Sequence, residues 1–125
     1  MAKKILVVED SQTMRSLITS TLEGLGDIDV TEAPSGFAAL KILPRERFDL
    51  ILTDINMPDI NGLELVNFVK RSSQYKDTPL FIISTEGSER DRDKGMQLGA
   101  NEYLVKPFEP EQLLELVRKY LNVRG

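Results

Sequence analysis

The chain contains no histidine and no cysteine. Those two absences exclude a thiolate nucleophile, a Ser-His-Asp triad, an imidazole general base, a zinc site of the usual ligand types and any disulfide framework. Chemistry here must come from carboxylate, hydroxyl or amine groups, or from a borrowed metal ion. Long hydrophobic runs are also missing. The N-terminal MAKKILVVED has only four apolar residues in a row before acids appear, too few for a signal-peptide core or a membrane span. A soluble, cytoplasmic protein is expected. Positive charge is in short supply as well: 16 basic against 20 acidic side chains leave a net charge of -4, which gives nucleic acid or an anionic membrane little to attract.

What is present suits one domain over residues 1–125, since 41% hydrophobic residues in a chain of 125 fill a single core. Short apolar runs end in polar residues: Ile5 to Val8 before Glu9 and Asp10, Leu50 to Thr53 before Asp54, Leu80 to Ile83 before Ser84 and Thr85, and Tyr103 to Val105 before Lys106 and Pro107. Continuous runs of this length predict strands covered on both faces, as in a parallel sheet, and the more polar Ile28 to Thr31 suits an edge.

Between the strands the period becomes helical. Met14, Leu17, Ile18, Leu22 and Leu25 form one apolar stripe, with Gly26 as a stop. Ser35 can cap a second helix carrying Ala39, Leu40 and Leu43 and ended by Pro44. Asn61 can cap a third with Leu63, Val66 and Val69 inward. The fourth, Ser88 to Leu98, is charged, contains Gly95 and offers little beyond Met96 and Leu98 as anchor. The fifth carries Leu113, Leu116, Val117 and Tyr120. Its spare residues Leu114 and Leu121 are either partner surface or buried against a neighbouring helix. Five strand-helix pairs predict a doubly wound α/β fold with a five-stranded parallel sheet and five helices.

Ligands of such sheets bind beyond the carboxyl ends of the strands, where the strand order reverses. Glu9, Asp10, Asp54, Ser84 and Lys106 should share that rim. Three carboxylates this close repel one another, and a hard divalent ion with oxygen-only ligands relieves the repulsion, which points to Mg²⁺ and a phosphoryl site. Asp54 is the expected covalent acceptor, because Glu9 and Asp10 form the pair better suited to metal. Lys106 and the Ser84 hydroxyl would neutralise phosphoryl oxygens. The Lys106-Pro107 bond could be cis, aiming the ammonium at the rim. Taken singly, each group has a plainer role: Asp10 could cap the first helix, Ser84 could serve a turn and Lys106 the surface. The complementary set at four of five strand ends favours the site.

These residues resemble a known family. LVVED at 6–10, DLILTDINMPDING at 49–62, Ser84-Thr85-Glu86 and YLVKPF at 103–108 look like a two-component response-regulator receiver domain, over nearly the whole chain. The resemblance implies the flavodoxin-like strand order 2-1-3-4-5. It implies that Asp54 is the phosphoacceptor, that Glu9, Asp10 and Asp54 bind Mg²⁺, and that Asn56 adds its backbone carbonyl. It makes Ser84 the switch hydroxyl, Lys106 the phosphoryl-contacting lysine and Tyr103 the aromatic whose rotamer follows the switch. Asn56 and Glu86, two positions beyond the acceptor and the switch hydroxyl, would tune dephosphorylation. Glu9 stands where many members have Asp, which touches only the detail of coordination.

Within the family the chain is most similar to single-domain chemotaxis regulators. The implied partners are a sensor histidine kinase or phosphotransfer protein as donor and a downstream target such as a flagellar motor switch component, met by the face of the fourth helix, fifth strand and fifth helix. The implied state is a monomer that contacts neither nucleic acid nor membrane and catalyses its own phosphorylation and dephosphorylation. A phosphorelay intermediate, or a receiver cut from a larger DNA-binding regulator or hybrid kinase, is the alternative. Two other classes fit poorly. A flavodoxin-like electron carrier needs a hydroxyl- and glycine-rich phosphate loop where this chain has EDSQT, and a haloacid-dehalogenase phosphatase needs D-x-D after its first strand.

Overall fold

Strands and helices alternate from one end of the chain to the other in the computed structural model, which describes residues 2–85 and 89–121. The elements are β1 (Lys3–Val8), α1 (Gln12–Glu23), β2 (Ile28–Ala33), α2 (Gly36–Ile42), β3 (Leu50–Asp54), α3 (Gly62–Arg71), β4 (Leu80–Ser84), α4 (Glu89–Gln97), β5 (Glu102–Val105) and α5 (Pro110–Leu121). All strand pairs are parallel, in the order β2-β1-β3-β4-β5. That is the expected doubly wound order, and β1 and β3, which carry the acids, are neighbours. Among the described residues no helix is long and apolar enough to cross a membrane.

The continuous apolar runs are explained by two cores. Side chains alternate across a strand, so Leu6, Val8, Ile51 and Ile82 face one way and pack with Leu65, Val66 and Val69 of α3. Ile5, Val7, Leu50, Leu52, Phe81 and Ile83 face the other way, against Ile18 and Leu22 of α1 and Leu113 and Val117 of α5. Both faces of β1, β3 and β4 are therefore covered, whereas β2 and β5 lie at the edges and keep polar or half-exposed positions.

Helix caps follow the local sequence. Ser35 accepts from Ala38 N–H and Asn61 from Leu63 N–H, as their positions predict. Helix α1 differs: Ser11, not Asp10, is its cap and accepts from Met14 N–H, which leaves the Asp10 carboxylate for other work. Gly26 follows the helix with φ +69°, in the left-handed region that closes the turn into β2.

Two packing expectations are corrected and one open alternative is decided. Leu17 is 51% exposed. The buried stripe of α1 runs through Ile18 and Leu22, and a residue one position away is rotated out of it by about 100°. Met96 is 40% exposed, and it is Gly95 that α4 buries, against Ile82 of β4. A Cβ at Gly95 would stand 2.4 Å from the Ile82 Cδ1, so the missing side chain sets the approach of this helix to the sheet. Leu121 is buried, and with Leu114 it packs into the core beside α5, so the burial alternative holds for it.

Candidate functional site

The site grows out of the ends of β1, β3 and β5. Parallel strands in register bring their carboxyl ends to one rim: Val8 pairs with Thr53, and Asp54 with Ile83. The next residue of β1 is Glu9, fixed by its N–H to the Ala33 carbonyl at 3.0 Å. The residue after β5 is Lys106, whose N–H reaches the Ser84 carbonyl at 2.7 Å and whose bond to Pro107 is cis.

These backbone positions converge the side chains. The Lys106 ammonium lies 2.5 Å from Glu9 Oε1 and 3.0 Å from Asp54 Oδ2, with all three side chains under 10% exposed. The other oxygens are also engaged: Glu9 Oε2 accepts from Ser11 N–H at 3.1 Å, and Asp54 Oδ1 from Asn56 N–H at 3.2 Å. Asp10 is exposed at the mouth, and one oxygen from each of Glu9, Asp10 and Asp54 lies within 4.8 Å of the others.

Burial pushes the Glu9 carboxyl above its ordinary value, the charge of Asp54 adds to that, and the hydrogen bonds from Lys106 and Ser11 oppose it. Burial alone would lower the Lys106 pKa, but the hydrogen bonds and charges of Glu9 and Asp54 outweigh it and raise the net value. The lysine is therefore held as a cation. Lys106 pairs with Glu9 and Asp54, and Asp10 brings a third carboxyl group to the same cluster. An all-oxygen donor set with one exposed member fits a hard divalent cation such as Mg²⁺.

The remaining predicted residues surround this cluster. Ser84 ends β4 beside β3 and is fully buried. Asn56 is exposed in the loop after β3, with its N–H on Asp54. Tyr103 sits further back on β5, paired with Ile82 and half-buried on the α4 side of the sheet. Glu86 lies outside the described residues.

Sequence reading passed over three supporting residues. Arg15 of α1 donates from Nη1 to the Glu9 carbonyl at 2.8 Å and from Nε to Glu32 at 2.9 Å, bracing the acidic pair from behind. Thr53 is buried and donates to the Asp54 carbonyl at 2.9 Å. Asp59, in the loop after β3, accepts from the backbone of α2. Arg15 could have been suspected from its place one helical turn after Ser11; the other two carry no local signal.

Comparison with known proteins places the fold in a family. The profile of the response regulator receiver domain family matches residues 5–118. A chemotaxis protein CheY homolog of Campylobacter jejuni (subsp. jejuni, strain 81-176) is 43% identical over 120 residues, 95% of this chain and 92% of the relative. The solved structure of the chemotaxis response regulator CheY4 of Vibrio cholerae superposes with a TM-score of 0.89 at 40% identity, covering 97% of this chain and 100% of that one. The receiver domain of the sensor histidine kinase PA1611 from Pseudomonas aeruginosa PAO1, solved with a magnesium ion coordinated in its active site cleft, gives a TM-score of 0.88 at 27% identity, covering 98% and 99%.

Proposed function

The chain belongs to the response regulator receiver domain family of two-component systems, and from that premise we propose that it is a phosphoacceptor switch in which Asp54 takes a phosphoryl group from a phosphohistidine. The observation that carries this reading is the contact of Lys106 with both Asp54 and Glu9, beside a third carboxylate, at the rim of a 2-1-3-4-5 sheet.

In the proposed reaction an Asp54 oxygen attacks phosphorus, the O–P bond forms, and the N–P bond to the donor imidazole breaks. These 125 residues contain no histidine, so they do not themselves supply the phosphohistidine. Glu9, Asp10 and Asp54, with the Asn56 carbonyl, would hold Mg²⁺, which when bound supplies positive charge for the transferring phosphoryl oxygens. Lys106 is already aimed at the acceptor and neutralises another oxygen, and the Ser84 hydroxyl donates to a third. Water later cleaves the O–P bond and restores the carboxylate, with Asn56 and Glu86 tuning the rate.

The output is proposed to be a change of shape at α4, β5 and α5. Drawing Ser84 toward the phosphoryl group opens space that Tyr103, half-buried two residues before Val105, can fill. Helix α4 suits such a shift, because Gly95 is its buried contact and its large apolar residue Met96 faces solvent. Likeness to chemotaxis proteins supports chemotaxis as the setting and a motor component as the target. A second reading, a receiver working as part of a phosphorelay or a longer protein, draws on the likeness to a sensor-kinase receiver domain. Incubation with an acyl phosphate and Mg²⁺ tests the acceptor: wild type should be labelled and Asp54→Asn should not. Capture experiments with the beryllofluoride-bound chain distinguish the settings, since a motor component, a phosphotransfer protein and a promoter complex are separate outcomes.

A further inference from the structure

The loop between β3 and α3, residues 55–61, carries Asn56 and is fastened at both ends. At its close, Gly62 N–H donates to the Ile55 carbonyl at 2.8 Å, and a Cβ on Gly62 would stand 2.0 Å from the Asp54 carbonyl oxygen. Near its middle, Asp59 reaches across to the first turn of α2. Its Oδ1 accepts from Gly36 N–H at 3.2 Å and from Ile60 N–H at 2.8 Å, and its Oδ2 from Phe37 N–H at 2.8 Å. Gly36 allows the approach, because a Cβ there would lie 2.2 Å from Ile60 Cγ1.

The first turn of a helix needs partners for its N–H groups. Ser35, the local cap, serves only Ala38. The two N–H groups before it are served from the loop that follows the acceptor strand, some 22 residues away. A carboxylate so engaged stays ionised, and its backbone donors, Phe37 first, hold its pKa below the usual range. The contact joins α2 to the segment carrying the Asn56 carbonyl, three residues from Asp59.

We propose that Asp59 is a positioning residue of the cation site, clamping the loop after β3 onto α2 and so fixing the Asn56 carbonyl where it can contribute to the site. The proposal rests on the reading that Asn56 joins Glu9, Asp10 and Asp54 in holding Mg²⁺. The carboxylate itself acts on backbone N–H groups only. Supporting groups of this kind, when removed, weaken metal binding without touching the ligands.

Calorimetric titration of the full chain with Mg²⁺ tests this, with thermal melting recorded for each variant. Asp59→Ala is expected to bind Mg²⁺ about tenfold more weakly than wild type. Asp59→Asn should fall between them, because its amide oxygen replaces one of two accepting oxygens, and it carries the test if the alanine variant folds poorly. Ser35→Ala removes the other cap of α2 but leaves the loop alone, so it should melt earlier and bind Mg²⁺ like wild type. Wild-type affinity in both Asp59 variants would overturn the proposal, and so would equal losses of affinity in Ser35→Ala and Asp59→Ala. Asp10→Asn checks the cation site separately: if it binds as tightly as wild type, the site itself is wrongly placed and the clamp fails with it.

Discussion

The Lys106 ammonium lies 3.0 Å from the Asp54 carboxylate, across two strand ends that are 52 residues apart in the chain. Lys106 thus serves as the counter-cation of the acceptor before any phosphoryl group arrives, and it bonds Glu9 at the same time. Removing it leaves buried carboxylates facing one another.

Lys106→Ala should therefore destabilise the metal-free protein by about 3–5 kcal/mol, the usual consequence of stripping one partner from a buried ion pair. The folded pKa of Lys106 is raised, so its contribution is fully present below its ordinary value of 10.5 and is lost as pH climbs through the higher folded value. Urea denaturation in chelator reads the loss, and added Mg²⁺ should recover part of it. The variant should still accept phosphate at Asp54 but show little of the wild-type change in partner binding.

Adjacent residues of α1 should behave very differently. Ile18 is 2% exposed and Leu17 is 51% exposed. Ile18→Ala is expected to cost about 2–5 kcal/mol, and Leu17→Ala to stay within about 0.5 kcal/mol of wild type. Denaturation midpoints of the two variants check the assignment of the helix face.

Gly62→Ala should damage fold and site together. Its Cβ would meet the Asp54 carbonyl oxygen at 2.0 Å and the Ile55 Cα at 2.6 Å, and backbone cannot move aside as a side chain can. A loss of about 1–3 kcal/mol or more is expected. Phosphorylation by an acyl phosphate should slow under conditions where the variant is still folded, because the displaced peptide is that of the acceptor.

Alkaline titration should show a high phenolate step that belongs to Tyr120. Tyr120 donates its hydroxyl to Glu102 at 2.7 Å, and that bond, with burial and the carboxylate charge, pushes its pKa up to about 12. Because the folded value is raised, the stability it contributes is fully present below the ordinary value of 10.0 and is lost as pH rises toward 12. Ultraviolet titration of phenolate should show this step in wild type and not in Tyr120→Phe.

Much of this architecture could be read from residue order because its causes are local. Strands buried on both faces must be apolar throughout, so β1, β3 and β4 announced themselves, and Ser35 and Asn61 cap the helices they precede. The convergence of Glu9, Asp10, Asp54 and Lys106 followed from one topological rule about strand ends. What stayed hidden depends on contacts between distant segments. Neither the Asp59 bonds to Gly36 and Phe37 nor the seat of Gly95 on Ile82 has a periodicity or spacing of its own. Leu17 lies outside the buried face because the apolar stripe of α1 is narrower than the spacing of its neighbours suggests.

Asp54, among three clustered carboxylates, is the proposed carrier of the phosphoryl group. Borohydride reduction of the protein after treatment with acyl phosphate and Mg²⁺, followed by peptide mass mapping, converts an aspartyl phosphate to homoserine and marks its position. Homoserine at position 54 alone is the predicted result. A reduced residue at Glu9 or Asp10, or none anywhere, would contradict it.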